Sequence, residues 1–300
     1  MTAPTPGVAV IVNPAAGSGR GLRLLPRLVD ALRTHGVRNH VHVTSQAGEA
    51  IDVAHRFGHA GTRLVIAVGG DGTVNEVVNG LLDAGGATVL GVIPAGRGVD
   101  FTRSLNVPRN FSAAVNQIIE GAYRRIDVGR ATFSDGGSRF FVNAAGLGFD
   151  TTVAEGAMRS RLPGGSLPYI SAVLGAIVRY RTMEIDLDAD GDKIRGRAAS
   201  AIVANGRFLG GGMKLVPSAD LADGLVDLAI LGDLTRRDLI VSAPRVYRGA
   251  HVNHPKFTHR PIRSVTITTG APIRVQLDGE IYGTSPVTFS VEPNALLVVG

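Results

Sequence analysis

The sequence predicts an α/β fold in two parts, a parallel sheet flanked by helices and then a mostly antiparallel, β-rich region. Three observations predict it. Aliphatic strands alternate with amphipathic helices through the first 120 residues, the order that builds a parallel sheet with helices on both faces. Glycine-rich loops follow the first, third and fourth of those strands, and open sheets of this kind bind ligands outside the carboxyl ends of their strands. Near Arg125 the pattern changes. The runs 126–133, 139–143, 183–187, 193–203, 225–231, 264–269, 273–277 and 296–299 then read as strands with few helices between them, the mark of an antiparallel domain. The chain is therefore expected to divide into 1–125 and 126–294.

The first part opens with a short strand at 8–12 and a helix at 22–34, which carries Pro26 early, where proline is best tolerated. Residues 37–44 alternate Val37, Val41 and Val43 as a strand would, and a helix is expected at 48–59. The unbroken aliphatic run 64–68 reads as a strand covered on both faces, and 74–82 spaces its apolar residues as a helix. A strand at 89–93 and a helix at 111–120 complete this part. In the second part, Ile170, Val173, Leu174, Ile177 and Val178 share one face of a helix at 167–181, with Arg179 and Arg181 at its end. That pattern suits a helix packed on the sheet better than one lying on a membrane surface. A further helix is expected at 235–248.

Composition narrows the class. Three hundred residues, 44% hydrophobic and 19% charged, can bury a substantial core. The absence of cysteine excludes disulfides and thiolate chemistry and fits a reducing, cytoplasmic compartment. The start MTAPTPG has no basic segment, and no 18-residue apolar run occurs, so neither a signal peptide nor a membrane span is expected and the protein reads as soluble. A net charge of +6 and a pI near 10.1 would suit an acidic partner. Nearly all the basic residues are arginine, however, no dense basic run is present, and only 5% of residues are aromatic, so nucleic acid is not expected as a partner.

The chemistry concentrates in the glycine loops. Gly69, Gly70, Asp71, Gly72 and Thr73 join a strand to a helix, where glycines let the backbone approach a ligand and the free N–H groups of the helix start favour an anion. Asn75 stands where the third glycine of a dinucleotide fingerprint would be, and no P-loop motif occurs. Asn13, Pro14 and Gly17 belong to the loop after the first strand, and Gly96, Arg97 and Gly98 to the loop after the fourth. Three such loops on one sheet edge point to a nucleotide or polyphosphate. An acid among glycines makes chemical sense at Asp71 if it holds Mg2+, directly or through water, or if it caps the helix. Asp278 and Glu280 would share a face on a strand, whereas Gly279 between them suits a turn. The histidines His40, His42, His251, His254 and His259 lack metal-site spacing with acids and read as surface or packing residues.

Extended to GGDGTVNEVVNG, the third-strand motif resembles the diacylglycerol kinase catalytic-domain superfamily, in particular bacterial lipid kinases related to sphingosine kinases. The resemblance covers nearly the whole chain. It takes in Asn13-Pro14 and the loop after it, PAGRGVDFTRSLNVP at 94–108, FVNAAGLGFD at 141–150, Val216-Pro217 with 222–227, and QLDGE at 276–280. It implies an ATP-binding α/β domain joined to a β-rich lipid-binding domain, with ATP in the cleft and residues 295–300 returning to the first domain. By the same resemblance the Asn13 loop, 69–73, Asn75, Glu76, Gly96 and Arg97 serve ATP, Thr44 lies on its adenosine side, and Asp71 organises Mg2+ and phosphate. Glu280 is the base for the acceptor hydroxyl, with Asp278 beside it. A structural Mg2+ loop is implied at the Asp223 carboxylate and the carbonyls of Asp220 and Leu225, although a plain turn before a strand fits those residues equally. The chain departs from the family where many relatives read Gly-Thr-x-Asn-Asp. Here Arg97 could clamp phosphate, and Val99 cannot hydrogen-bond through its side chain. The expected activity is ATP-dependent phosphorylation of a lipid hydroxyl, foremost diacylglycerol, then a sphingoid or other long-chain alcohol. NAD kinase shares GGDGT but is disfavoured by NEVVNG and DGE, and Val99 leaves room for a non-catalytic nucleotide- or lipid-binding relative. The resemblance further implies peripheral contact with a membrane surface, and it admits a homodimer.

Overall fold

The computed structural model describes residues 7–96, 98–160 and 167–300. The chain forms two compact units. One runs to Ile126 and takes back Asn294–Gly300; the other is Asp127–Pro293.

In the first unit β1 (Val8–Val12), α1 (Arg20–Thr34), β2 (Asn39–Val43), α2 (Glu49–His59), β3 (Leu64–Gly69), α3 (Asp71–Asp83), β4 (Val89–Pro94), α4 (Asp100–Ser104) and α5 (Phe111–Glu120) follow in order. Strands β2, β1, β3 and β4 lie side by side and parallel, with Val12 level with Val43 and Val68. The returning segment adds to the far edge, where Leu297 and Val298 pair with Val89 and Leu90 in parallel. Every residue of β1 and β3 is buried. That is why both are continuous aliphatic runs rather than alternating ones. Leu28 and Leu32 of α1, Ala114, Val115 and Ile118 of α5, and Val299 pack on the sheet with Val10, Ile66 and Ile93.

Two features differ from expectation. Helix α1 begins at Arg20, so Pro26 lies nearly two turns in rather than in the first turn. The carbonyl it deprives of a donor belongs to Leu22, whose side chain is exposed, so water can reach the site. The short helix α4 was not foreseen, because five residues carry no readable period.

The second unit contains β5 (Tyr123–Phe133, which begins in the first unit), β6 (Ser138–Phe141), β7 (Ala144–Gly148), α6 (Phe149–Arg159), α7 (Leu167–Arg179), β8 (Met183–Ala189), β9 (Asp192–Ala204), β10 (Phe208–Leu209), β11 (Met213–Lys214), β12 (Val226–Gly232), α8 (Arg236–Val246), a 3-10 turn (Ala250–Asn253), β13 (Phe257–Ile262), β14 (Ser264–Thr269), β15 (Arg274–Leu277), β16 (Glu280–Thr284) and β17 (Val287–Val299, which ends in the first unit). Its strands pair antiparallel, in the order β16, β15, β7, β9, β8, β14, with β12 and β13 continuing from β9. One sheet face packs Phe141, Leu147, Leu187, Val203, Val275 and Phe289.

Helices α6, α7 and α8 pack in sequence against one another. Helix α8 starts with a capping box, Thr235 and Asp238 each accepting from the other's backbone N–H. Helix α6 and strands β7, β13 and β16 had no strong sequence period, being short or glycine-bearing.

The expectation that the helix at 167–181 packs on the sheet is met in part, Ile177 packing with Ala199 of β9. Ala172, Ala176 and Ile177 are buried, but Leu167, Ile170, Leu174 and Val178 are 46–72% exposed and lie on one side of α7. The helix presents more apolar surface than α6 and α8 cover.

Candidate active site

In the first unit the three glycine loops are packed against one another by contacts that leave no room for side chains. A Cβ on Gly17, which has φ +57°, would lie 1.9 Å from the carbonyl oxygen of Ala95, and one on Gly96 would lie 2.3 Å from the Cα of Gly70. These glycines are needed for close approach as much as for turning. Asn13 ties the first loop to the second, its Nδ2 donating to Thr73 Oγ1 at 3.0 Å while its Oδ1 accepts from the Ala15 N–H at 3.0 Å. Pro14 follows in the same turn. Gly69 is forced by Thr73, whose side chain would overlap a Cβ there at 2.4 Å.

Helix α3 is capped by Gly70 in extended conformation with no side-chain bond, so the alternative of Asp71 as N-cap does not describe it. Asp71 is instead the first helical residue, its Oδ1 accepting from the N–H of Phe101 at 3.2 Å. Asp100 was not singled out from the sequence. The point where a Cβ on Gly98 would sit is 2.6 Å from Asp71 Oδ2 and 3.7 Å from Asp100 Oδ2, so two carboxylates flank one glycine. Hard oxygen donors in a pair suit Mg2+, which typically takes one or two carboxylates together with substrate phosphates.

The other expected nucleotide residues divide. Thr44 is buried at the end of β2, its N–H and hydroxyl both directed to the Val12 carbonyl at 2.9 and 3.3 Å. Glu49 holds the segment beyond it, accepting from the Ser45 N–H and hydroxyl at 2.6 and 2.7 Å and from His42 at 2.6 Å. Those bonds, the Ser45 N–H foremost, pull its carboxyl down to about 2. Asn75 is buried and bonded to Asn79 at 3.1 Å. Glu76 caps α2, with Oε1 accepting from Gly48 N–H at 3.0 Å and Oε2 from Ala50 N–H at 3.3 Å. Arg97 lies outside the described residues. Val99 sits at φ 50°, a left-handed conformation that β-branched residues rarely adopt and that stores about 1–3 kcal/mol. Asparagine tolerates this conformation better.

In the second unit the DGE segment is a tight hairpin turn. Leu277 pairs with Glu280 across Asp278 and Gly279, whose φ values are 49° and 91°. Both are left-handed, as a two-residue type I′ turn requires. The side chains of Asp278 and Glu280 therefore do not share a strand face. Asp278 is buried, its Oδ2 accepting from the Val142 N–H at 2.9 Å and its Oδ1 from those of Asn143 and Ala144 at 2.9 and 3.0 Å. It clamps the turn to the segment between β6 and β7. Glu280 is half-buried at the start of β16.

Behind the turn lies an apolar cavity of about 720 Å³, roofed by α6, α7 and α8 and lined by residues such as Val153, Ile177, Leu215, Leu239 and Phe257. Gly279, Gln276 and Asp150 are on its wall. Gln276 accepts the Gly279 N–H at 2.8 Å and donates to Asp150 Oδ2 at 3.2 Å, and the Ser200 hydroxyl donates to Asp150 Oδ1. Burial pushes the Asp150 carboxyl up to about 6, against the pull of those bonds. The sequence held no signal for this role beyond an acid at the end of GFD. Apolar cavity residues spread over three helices and several strands look like ordinary core.

Asp220 Oδ1 accepts from Ala222 N–H at 3.0 Å and Asp223 Oδ1 from Leu225 N–H at 2.9 Å, two successive side-chain turns. Among the described residues no group of three or more histidines and acids is placed to hold a metal. A ligand set drawn from one carboxylate and two carbonyls is a different kind of site.

Comparison with known proteins gives two family matches. Residues 7–131 match the model of the diacylglycerol kinase catalytic domain, and residues 143–300 match that of the YegS C-terminal NAD kinase beta sandwich-like domain. A diacylglycerol kinase of Staphylococcus aureus (strain MRSA252) is 30% identical over 281 residues, 93% of this chain and 88% of that one. One from Staphylococcus saprophyticus is also 30% identical, over 93% of this chain and 90% of its own. Among solved structures, a candidate diacylglycerol kinase of Bacillus anthracis str. Sterne superposes with a TM-score of 0.80 at 24% identity, covering 99% of this chain and 98% of that one. A diacylglycerol kinase from the same organism gives 0.76 at 24%, covering 97% and 96%.

Proposed function

The chain is a lipid kinase belonging to the diacylglycerol kinase family, and from that premise we propose that it transfers the γ-phosphoryl group of ATP to the free hydroxyl of diacylglycerol, forming phosphatidic acid and ADP. The observation that carries this choice of acceptor is the apolar cavity with Gly279, the neighbour of Glu280, on its wall. NAD carries a charged pyrophosphate and two riboses that such a lining cannot solvate, whereas an acyl chain gains about 0.8 kcal/mol for each methylene it buries.

The loops at 13–19 and 69–73, with Ala95, Gly96 and Gly98, hold the triphosphate through backbone N–H groups and the start of α3, with Thr44 on the nucleoside side. Asp71 and Asp100 are the residues that would hold Mg2+, which neutralises the charge developing on the phosphoryl oxygens. Glu280 accepts the proton of the lipid hydroxyl as its oxygen bonds to the γ-phosphorus and the bond to ADP breaks. Asp278 fixes the turn that presents Glu280, and Glu76 braces α2 against α3. The enzyme works at a membrane face inside the cell, where Leu167, Ile170, Leu174 and Val178 of α7 and Ile240 and Val241 of α8 enter the lipid. Exposed Arg179, Arg181, Arg236 and Arg237 near them meet anionic headgroups.

Radiolabel transfer from γ-labelled ATP to diacylglycerol, monoacylglycerol, sphingosine and NAD tests the reading. Label is expected in diacylglycerol first, and Glu280→Gln and Asp71→Asn should each lower transfer by about a hundredfold or more with the circular dichroism spectrum unchanged. Label in NAD alone, or full turnover by Glu280→Gln, would overturn it.

A further inference from the structure

The polar side chains on the wall of the apolar cavity come from two places. Ser242, Tyr247, Arg248, His251 and His254 belong to α8 and the segment after it, and Asp150, Ser200 and Gln276 to α6, β9 and β15. The second group is bonded into one chain that ends on the turn carrying Glu280. Ser200, which is fully buried, donates to the carbonyl oxygen of Leu147 at 3.1 Å and is bonded to Asp150 Oδ1. Asp150 Oδ2 accepts from Gln276 Nε2 at 3.2 Å, and Gln276 Oε1 accepts at 2.8 Å from the N–H of Gly279, the residue before Glu280.

The fold makes room for this chain. Gln276 pairs with Gly146 across β15 and β7, and a Cβ on Gly146 would lie 2.5 Å from Asp150 Oδ2. Any side chain there would push Asp150 away from Gln276. Val275 and Leu277, on either side of Gln276, pack into the core on the other sheet face, as alternation along a strand requires. Gln276 itself is 1% exposed, so both ends of its amide depend on protein partners.

The supply of hydrogens fixes the direction of the chain. Ser200 has one hydroxyl hydrogen and two oxygens within reach, those of Leu147 and Asp150. Both are satisfied when Asp150 is the neutral acid, its proton on Oδ1 directed to Ser200 Oγ and the Ser200 hydrogen to Leu147. Burial works in the same direction, raising the Asp150 carboxyl to about 6. With the proton on Oδ1, or with none, Oδ2 only accepts, so the nitrogen end of the Gln276 amide faces Asp150 and its oxygen end faces the Gly279 N–H. The reverse orientation would set acceptor against acceptor and donor against donor.

We infer that Gln276 is a positioning residue for Glu280: its amide, held one way round by Asp150, fixes the Gly279 N–H and through it the direction in which the turn presents the Glu280 carboxylate. The inference rests on the reading of Glu280 as the base for the lipid hydroxyl. Asp278 anchors the first central residue of the turn to the N–H groups of residues 142–144. Gly279, at φ 91°, has no side chain to hold it, and the Gln276 bond supplies the missing anchor.

The test is a double-mutant cycle on transfer of label from γ-labelled ATP to dioleoylglycerol in detergent with the full chain, kcat and KM being read separately. Gln276→Met keeps the length of the side chain and removes both of its bonds. It is expected to lower kcat about ten- to a hundredfold, with KM for the lipid within about threefold of wild type. In the Glu280→Gln background the same change is expected to cost less than about twofold, because a base that is absent cannot be misplaced. A loss of equal size in both backgrounds would overturn the inference, since a structural defect does not depend on Glu280. A rise in KM with kcat kept would overturn it too, placing Gln276 on the lipid itself. Should Gln276→Met fail to fold by circular dichroism, Gln276→Asn, polar but one methylene too short to span Asp150 and Gly279, runs the same cycle with the same expectations. Full turnover by Glu280→Gln alone would remove the reading of the base and the inference with it, whereas a damaged Glu280→Gln with additive losses sinks the inference alone.

Discussion

Replacing Asp278 should damage the second unit in proportion to the acceptors removed. Its carboxylate takes three backbone N–H groups, of Val142, Asn143 and Ala144, at 2.9 to 3.0 Å, and all three residues are buried. In Asp278→Ala those donors lose their partner, at about 1–3 kcal/mol each, or about 3–6 kcal/mol together once some relaxation is allowed. The left-handed φ of 49° adds about 1 kcal/mol, because alanine tolerates it less well than aspartate. Against a usual total of about 5–15 kcal/mol, much of the stability of the protein would be gone. Asp278→Asn is milder. Its Oδ1 still accepts from Asn143 and Ala144, its amide opposes only the Val142 N–H, and asparagine accepts the turn geometry, so about 1–3 kcal/mol is lost. Urea unfolding followed by far-ultraviolet circular dichroism measures both. An alanine variant within about 1 kcal/mol of wild type, or equal to the asparagine variant, would refute the view of Asp278 as a clamp.

Two further outcomes follow from the same geometry. The Asp150 carboxyl, raised to about 6, keeps its proton in the folded state after the unfolded chain has lost its own, so the folded state binds more protons between about pH 4 and 6 and its stability falls as pH rises through that window. Relative to Asp150→Asn, the wild type should lose about 1–3 kcal/mol across that range, and parallel curves for the two proteins would contradict it. Flotation with vesicles should show binding strengthened by anionic lipid and weakened several-fold by Leu174→Asp, whose side chain is 60% exposed on α7; equal flotation of variant and wild type would remove α7 from the membrane face.

Much of this protein is readable in its sequence because the signals are local. Continuous aliphatic runs at Leu64–Gly69 and Val8–Val12 announce strands buried on both faces, glycines announce the loops behind them, and Asp278-Gly279 announces a turn. What the sequence leaves open is decided by contacts between residues far apart in the chain. Nothing local says that Gly96 is required by the Cα of Gly70, or that Glu76 spends both oxygens on the start of α2. Likewise Asp278 reads as a second catalytic acid until the N–H groups of residues 142–144, more than a hundred positions away, fill its oxygens. The face of α7 shows the same division. Its 3.6-residue period is a property of the sequence, whereas which half of the apolar stripe is covered depends on where α6 and α8 come to rest. The cavity lies wholly on the tertiary side, since an apolar residue that lines an empty space and one that fills a core are the same residue until the fold closes around them.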